Sequence, residues 1–179
     1  MSRSLLRFVV ALLMLPVSSL ALAHGAPTPA DGFLAGFRHP LSGLDHLLSL
    51  LLAGIVIGRL ARRRLALGAG FVGAFLSGLL AGVALGPQAA IDGLLLLGLP
   101  VLGFFLWRRT APGAGLWLAL AGIAFLHGFA HGMEGAPRPD WMTGAATGMG
   151  LLLTAGMELG RRWLARERGL VAGTPGRPE

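Results

Sequence analysis

Five apolar runs, at approximately 40–60, 65–85, 91–107, 115–133 and 141–160, dominate the sequence. Each is close to the roughly 20 residues that a helix needs to cross the hydrocarbon core of a bilayer. Within that core every backbone polar group has to be satisfied inside its own segment, so a run of this kind crosses as a helix. Only 13% of the residues are charged, against roughly 25% in soluble domains. The mean hydropathy is +0.71. The expected fold is therefore all-α: a polytopic membrane helix bundle with about five transmembrane helices.

The basic residues give that bundle a direction. All 15 are arginine, and they sit in short clusters between the apolar runs. Arg59, Arg62, Arg63 and Arg64 follow the first run, Arg108 and Arg109 the third, and Arg161, Arg162, Arg166 and Arg168 the fifth, whereas the alternate segments hold only Arg38 and Arg138. Short cytoplasmic loops collect arginine, so this alternation predicts the start of the bundle outside and residue Glu179 inside. The net charge of +7 and the pI near 11.8 have a topological reading, and no nucleic-acid partner is expected. The opening MSRSLLRFVVALLMLPVSSLALA has Arg3 and Arg7, an apolar stretch and Ala21-Leu22-Ala23, the pattern of a cleaved secretory signal peptide. An uncleaved N-terminal anchor is the alternative. Cleavage after Ala23 would make His24 the first residue, its α-amine and imidazole side by side. The predicted division is signal peptide 1–23, five-span domain 24–160 and arginine-rich cytoplasmic tail 161–179.

Two absences remove function classes. Without cysteine the chain has no disulfides, thiolate metal ligands or cysteine nucleophile. Without lysine it has neither the Gly-Lys pair of a Walker A loop nor an amine for Schiff-base chemistry, so it encodes no nucleotide-driven pump.

Ionisable groups inside the apolar runs are then the informative ones. Each opposes insertion by about 2.5 kcal/mol or more unless paired or bound. The first run opens with FRHPLSGLDHLL, in which Pro40 suits a first helical position and His46 is expected on the same face as His39, about 10 Å deeper. The fourth run ends in His127, His131 and Glu134, which at spacings i, i+4 and i+7 fall within roughly a 60° arc. Since the two runs cross in opposite directions, His39 is expected level with Glu134 and His46 level with His127. A single intramembrane histidine commonly serves as a hydrogen-bonding strut. A set of imidazoles and carboxylates converging from two helices is instead what a divalent transition metal takes as ligands. Asp45 is expected to accept a hydrogen bond from an imidazole of another helix and fix its tautomer. Ser42 reads as a weak ligand, a backbone cap or neither.

HPLSGLDH, with the spacing His-x5-Asp-His, and HGFAHGME, reading His-Gly-x-Ala-His-Gly-x-Glu, together resemble the two signature motifs of the HupE/UreJ family of hydrogenase and urease accessory proteins. The resemblance runs from the signal peptide to the fifth run. It implies a nickel or cobalt permease, with His39, Asp45 and His46 matching the first motif and His127, His131 and Glu134 the second. The sequence departs from the family's pattern in three places. Leu126 stands where phenylalanine usually precedes the second motif, with Phe125 one position earlier. LLTAGMELG offers Met157 and Glu158 where the last span often carries a histidine. ERGLVAGTPGRPE is too short and polar to form the further span of many members.

The expected function is ATP-independent uptake of Ni2+ or Co2+ from the periplasm across a bacterial inner membrane, through a site of His39, Asp45, His46, His127, His131 and Glu134 with His24 assisting capture. The competing reading is an enzyme, an intramembrane zinc hydrolase in which three histidines hold the ion and Asp45 or Glu134 activates its water. A metal-sensing or chaperoning membrane partner is a third. No prosthetic group is expected; the partners are the metal ion and the lipid bilayer, with a homo-oligomer and a link to nickel-enzyme maturation as candidate associations. For the inner half of the path, Met142, Met149 and Met157 lie within roughly an 80° arc and read either as packing or as a thioether stripe, and Glu158 reads as an exit ligand or as a partner of Arg161 or Arg162. Pro100 should bend the third span. Small residues at four-residue spacing, Gly70, Ala74, Gly78, Gly82 and Gly86 in the second run and Gly144, Gly148, Gly156 and Gly160 in the fifth, predict close helix packing.

Overall fold

A computed structural model of the chain describes residues 32–60, 63–88, 91–108, 113–133 and 138–172. The signal peptide, His24 and Glu134 lie outside them. The described residues form six helices and no strand: α1 Phe33–Ser42, α2 Leu44–Gly58, α3 Arg64–Leu85, α4 Ile91–Arg108, α5 Ala114–Met133 and α6 Pro139–Ala172. The all-helical expectation therefore holds. α3 and α5 are long and apolar enough to cross a membrane, and a third span results if α1 and α2 are the two halves of one broken span. The fifth apolar run lies within α6, where glycines, threonines and Glu158 dilute its apolarity. α6 then continues as one helix into the segment read as a tail, as far as Ala172.

Glycine determines which helices meet. A Cβ at Gly78 or Gly82 of α3 would collide with the carbonyls of Phe125 or Phe129 in α5, and one at Gly128 or Gly132 with those of Phe75 or Leu79 in α3. α6 makes the same kind of contact with both halves of the broken segment. Gly144 and Gly148 lie under α1, Gly156 and Gly160 lie under α2, and Gly36, Gly54 and Gly58 answer from the other side. Close backbone approach of this kind gives helices their dispersion contacts where lipid offers no hydrophobic drive. The expected ladder is therefore real at its centre. Gly70 and Gly86, at its ends, meet no backbone, and Gly86 instead ends α3 with a φ of 71°.

Residue numbers rise together along both contacts, so α3 runs parallel to α5, and α1 and α2 run parallel to α6. Alternate crossing requires that relationship of runs two and four and of runs one and five. α4 packs on both α2 and α5 and joins the two sets; it is continuous through Pro100. The hydroxyls of Thr147 and Thr154 donate to the carbonyls of Thr143 and Gly150, each 2.6 Å away, which satisfies them within α6.

At the far end of α2 from the histidines, Arg59 binds three groups. Its guanidinium donates to the carbonyl of Leu106 at the end of α4, pairs with Glu167 at 3.4 Å and stacks over Trp163 at 4.5 Å. Nε1 of Trp163 in turn donates to Glu167. The continuation of α6 is thereby tied to α2 and α4.

Candidate metal centre

The straight first helix expected from the sequence is broken at Gly43, where α1 and α2 meet at an angle of 77°. α1 begins at Phe33, so Pro40 lies in its last turn and not at a first helical position. Without an N–H at position 40 the helix loses a bond near its end, and it stops two residues later. The carbonyl of His39 is then capped from two sides, by the Ser42 hydroxyl at 3.0 Å and the Gly43 N–H at 3.3 Å. Ser42 is exposed and acts as a backbone cap.

This bend corrects the expected ladder. His39 does not stand a helical step of about 10 Å above His46; its ring centroid is 5.3 Å from that of His46 and 4.9 Å from that of His131. His46 and His131 are 5.0 Å apart. The three residues come from α1, α2 and α5, and one nitrogen from each lies within 4.8 Å of the others. Two nitrogens bound to a single ion at about 2.1 Å are separated by at most about 4.2 Å. In a tetrahedral site that separation is about 3.4 Å, so the widest pair has to close by about an ångström or more for the cluster to hold an ion.

His127 sits one turn along α5, its ring 5.2 Å from that of His46. Its Nδ1 is 2.8 Å from the carbonyl of Ile123. A carbonyl only accepts, so Nδ1 carries the hydrogen and Nε2 is left with a lone pair. That Nε2 is buried without a hydrogen-bond partner among the described residues. His46 is consequently the hub, touching His39, His131 and His127. It is fully buried, and His127 and His131 are nearly so.

Asp45 is buried as well, and its partner differs from the expected one. Oδ2 lies 3.0 Å from Nδ1 of the adjacent His46, and among the described residues Oδ1 makes no hydrogen bond to an imidazole of another helix. The second motif has a clear division of labour: His127 and His131 face α1 and α2, while Gly128 and Gly132, one position on in each case, seat α5 against α3.

Two residues that the sequence reading passed over wall the cluster. Trp141, at the start of α6, has its ring 5.2 Å from His39 and 5.9 Å from His131. Phe75 of α3 lies 5.9 Å from His131. Neither aromatic carries a signal in the sequence, since it is the glycine contacts of α6 and α3 that deliver them. The inner-half residues stay with packing and solvent. Met149 is buried in the apolar core with Met142 and Met157 against it. Glu158, its side chain 40% exposed, pairs with both Arg161 and Arg162.

Imidazoles gathered from three helices, those of His46 and His131 buried and that of His39 partly so, with a carboxylate beside the central one, are suited to holding a borderline divalent metal. Among known proteins, the family model described as HupE / UreJ protein matches residues 12–176. No curated protein and no solved structure matches the chain significantly. Covering nearly the whole chain, and with both histidine motifs contributing to one buried cluster, that match shows that the chain belongs to the HupE/UreJ family.

Proposed function

We propose that the chain is a secondary, ATP-independent permease that takes up a divalent transition metal, Ni2+ or Co2+, from the periplasm. The family is associated with nickel and cobalt uptake for hydrogenase and urease. The observation that carries the reading is the convergence of His39, His46 and His131. An inside-negative potential of about 100 mV favours entry of a dication by roughly 4.6 kcal/mol, so no nucleotide is needed. Because intrinsic affinity at such ligands favours Cu2+ over Ni2+, selectivity rests on the geometry and on the supply of ions. The contact of Asp45 Oδ2 with His46 supports Asp45 as a group that orients an imidazole, rather than as the base that the zinc-hydrolase alternative would need.

The proposal places five spans in the bacterial inner membrane after a cleaved signal peptide, with His24 periplasmic and Glu179 cytoplasmic. His24 and Glu134 would complete the outer mouth. The test is metal uptake into proteoliposomes under an imposed inside-negative potential, with His46→Ala, His131→Ala and His39→Ala beside the unmodified protein. Uptake should require the protein and be abolished by each substitution while the variants still insert. Equal uptake by all three variants contradicts the site. The mass of the purified chain tests cleavage: retention of residues 1–23 would remove the free amine of His24 from the mouth.

A further inference from the structure

The family motifs end before α6, yet the side chain that touches two of the three clustered imidazoles belongs to α6. We propose that Trp141 is a positioning residue of the metal site: it holds His39 and His131 in place, limits the water that reaches an ion between them, and thereby sets the coordination number that the site imposes. The inference rests on the metal-binding reading and adds a determinant of which ion is held.

The indole is fixed from several directions. Trp141 is 9% exposed. A Cβ at Gly36 of α1 would fall on the Trp141 carbonyl, so α1 and α6 are in backbone contact at this residue. The backbone N–H of Trp141 donates to Oδ1 of Asp140 at 2.9 Å, and Asp140 is itself held by Arg138 at 2.8 Å. From that fixed backbone the ring meets His39 and His131 edge-to-face, at interplanar angles of 62° in both cases. His39 is on a ten-residue helix that ends three residues later, and its imidazole lies between rings from α2, α5 and α6. Trp141 supplies the α6 side of that restraint, and Gly36 makes the approach possible.

The chemistry of the wall matters as much as its position. Indole has one N–H donor and no lone pair to offer a metal, and Phe75 on the other side of His131 has neither. On the sides that these two rings cover, the site gains no ligand beyond its imidazole nitrogens. An ion that tolerates four or five ligands is accommodated, whereas one that keeps a full octahedral water shell, as Mg2+ prefers, is not. Geometry is the available route to selectivity where affinity order runs the wrong way.

The test is equilibrium Co2+ binding to the purified full-length protein, read by visible absorption, which is intense for four- and five-coordinate Co2+ and weak for six-coordinate. The unmodified protein should show the intense bands. Trp141→Ala should weaken Co2+ binding by about ten- to a hundredfold, the usual effect of losing a group that orients ligands, and its spectrum should fall to the weak six-coordinate form. Trp141→Phe, which keeps a ring against both imidazoles, should restore the intense bands. If Trp141→Ala loses its helical circular dichroism, Trp141→Leu replaces it, with a change in the same direction. An alanine or leucine variant with native affinity and native spectrum overturns the proposal. Absence of Co2+ binding by the unmodified protein would instead overturn the metal-binding reading and this inference with it.

Discussion

Oδ2 of Asp45 lies 3.0 Å from Nδ1 of His46, the residue that follows it in the chain and the one at the centre of the imidazole cluster. Neighbours on a helix project about 100° apart, so the contact requires both side chains to turn toward each other. A carboxylate at Nδ1 favours the tautomer that presents the Nε2 lone pair to a metal.

Asp45→Asn should therefore weaken Ni2+ binding by about ten- to a hundredfold without preventing insertion. Titration calorimetry of the purified variant against the unmodified protein measures this. Unchanged affinity would make Asp45 a passive neighbour of His46.

The contact between α3 and α5 supports the site from behind. Gly132→Leu should destabilise the protein by about 1–3 kcal/mol or more, as overpacking does, because any Cβ there meets the carbonyl of Leu79. Gly122→Ala is the control, since nothing lies within 4 Å of the added atom; it should not destabilise the protein, the helix propensity of alanine over glycine favouring it by up to about 1 kcal/mol. Thermal unfolding of both variants in detergent decides the matter, and equal midpoints would show that the glycine contact carries no stability.

The residues differ in how far the sequence revealed their places. His127 and His131 share a face because helical periodicity alone puts them there, and α5 is continuous. His39 could not be placed the same way. Its position depends on a break at Gly43, and although Pro40, Ser42 and Gly43 together form a breaker pattern, reading Pro40 as a helix start hid it. Trp141 is delivered by tertiary contact between Gly36 and α6, a relationship between residues about a hundred positions apart that periodicity does not encode. Small residues at fourfold spacing announced tight packing, but the partner of each ladder emerged only from the fold.

Glu158 is expected to have no role in transport. It is held by Arg161 at 2.6 Å and Arg162 at 2.7 Å with substantial exposure, as a charge near the end of an apolar run would be. Glu158→Gln should leave equilibrium metal binding unchanged and the initial uptake rate within about twofold, given the small worth of exposed ion pairs. A slowed release to the inside with unaltered binding would instead make Glu158 the exit ligand.

If His39, His46 and His131 together hold the transported ion, its nearest ligands are imidazole nitrogens. X-ray absorption at the nickel edge of the Ni2+-loaded protein tests it most directly, because imidazole rings give a characteristic outer-shell scattering. Three imidazoles with Ni–N distances of about 2.1 Å are expected in the unmodified protein, with a loss of imidazole scattering in His46→Ala. A first shell made of water or carboxylate oxygens alone, unchanged by that substitution, would contradict it.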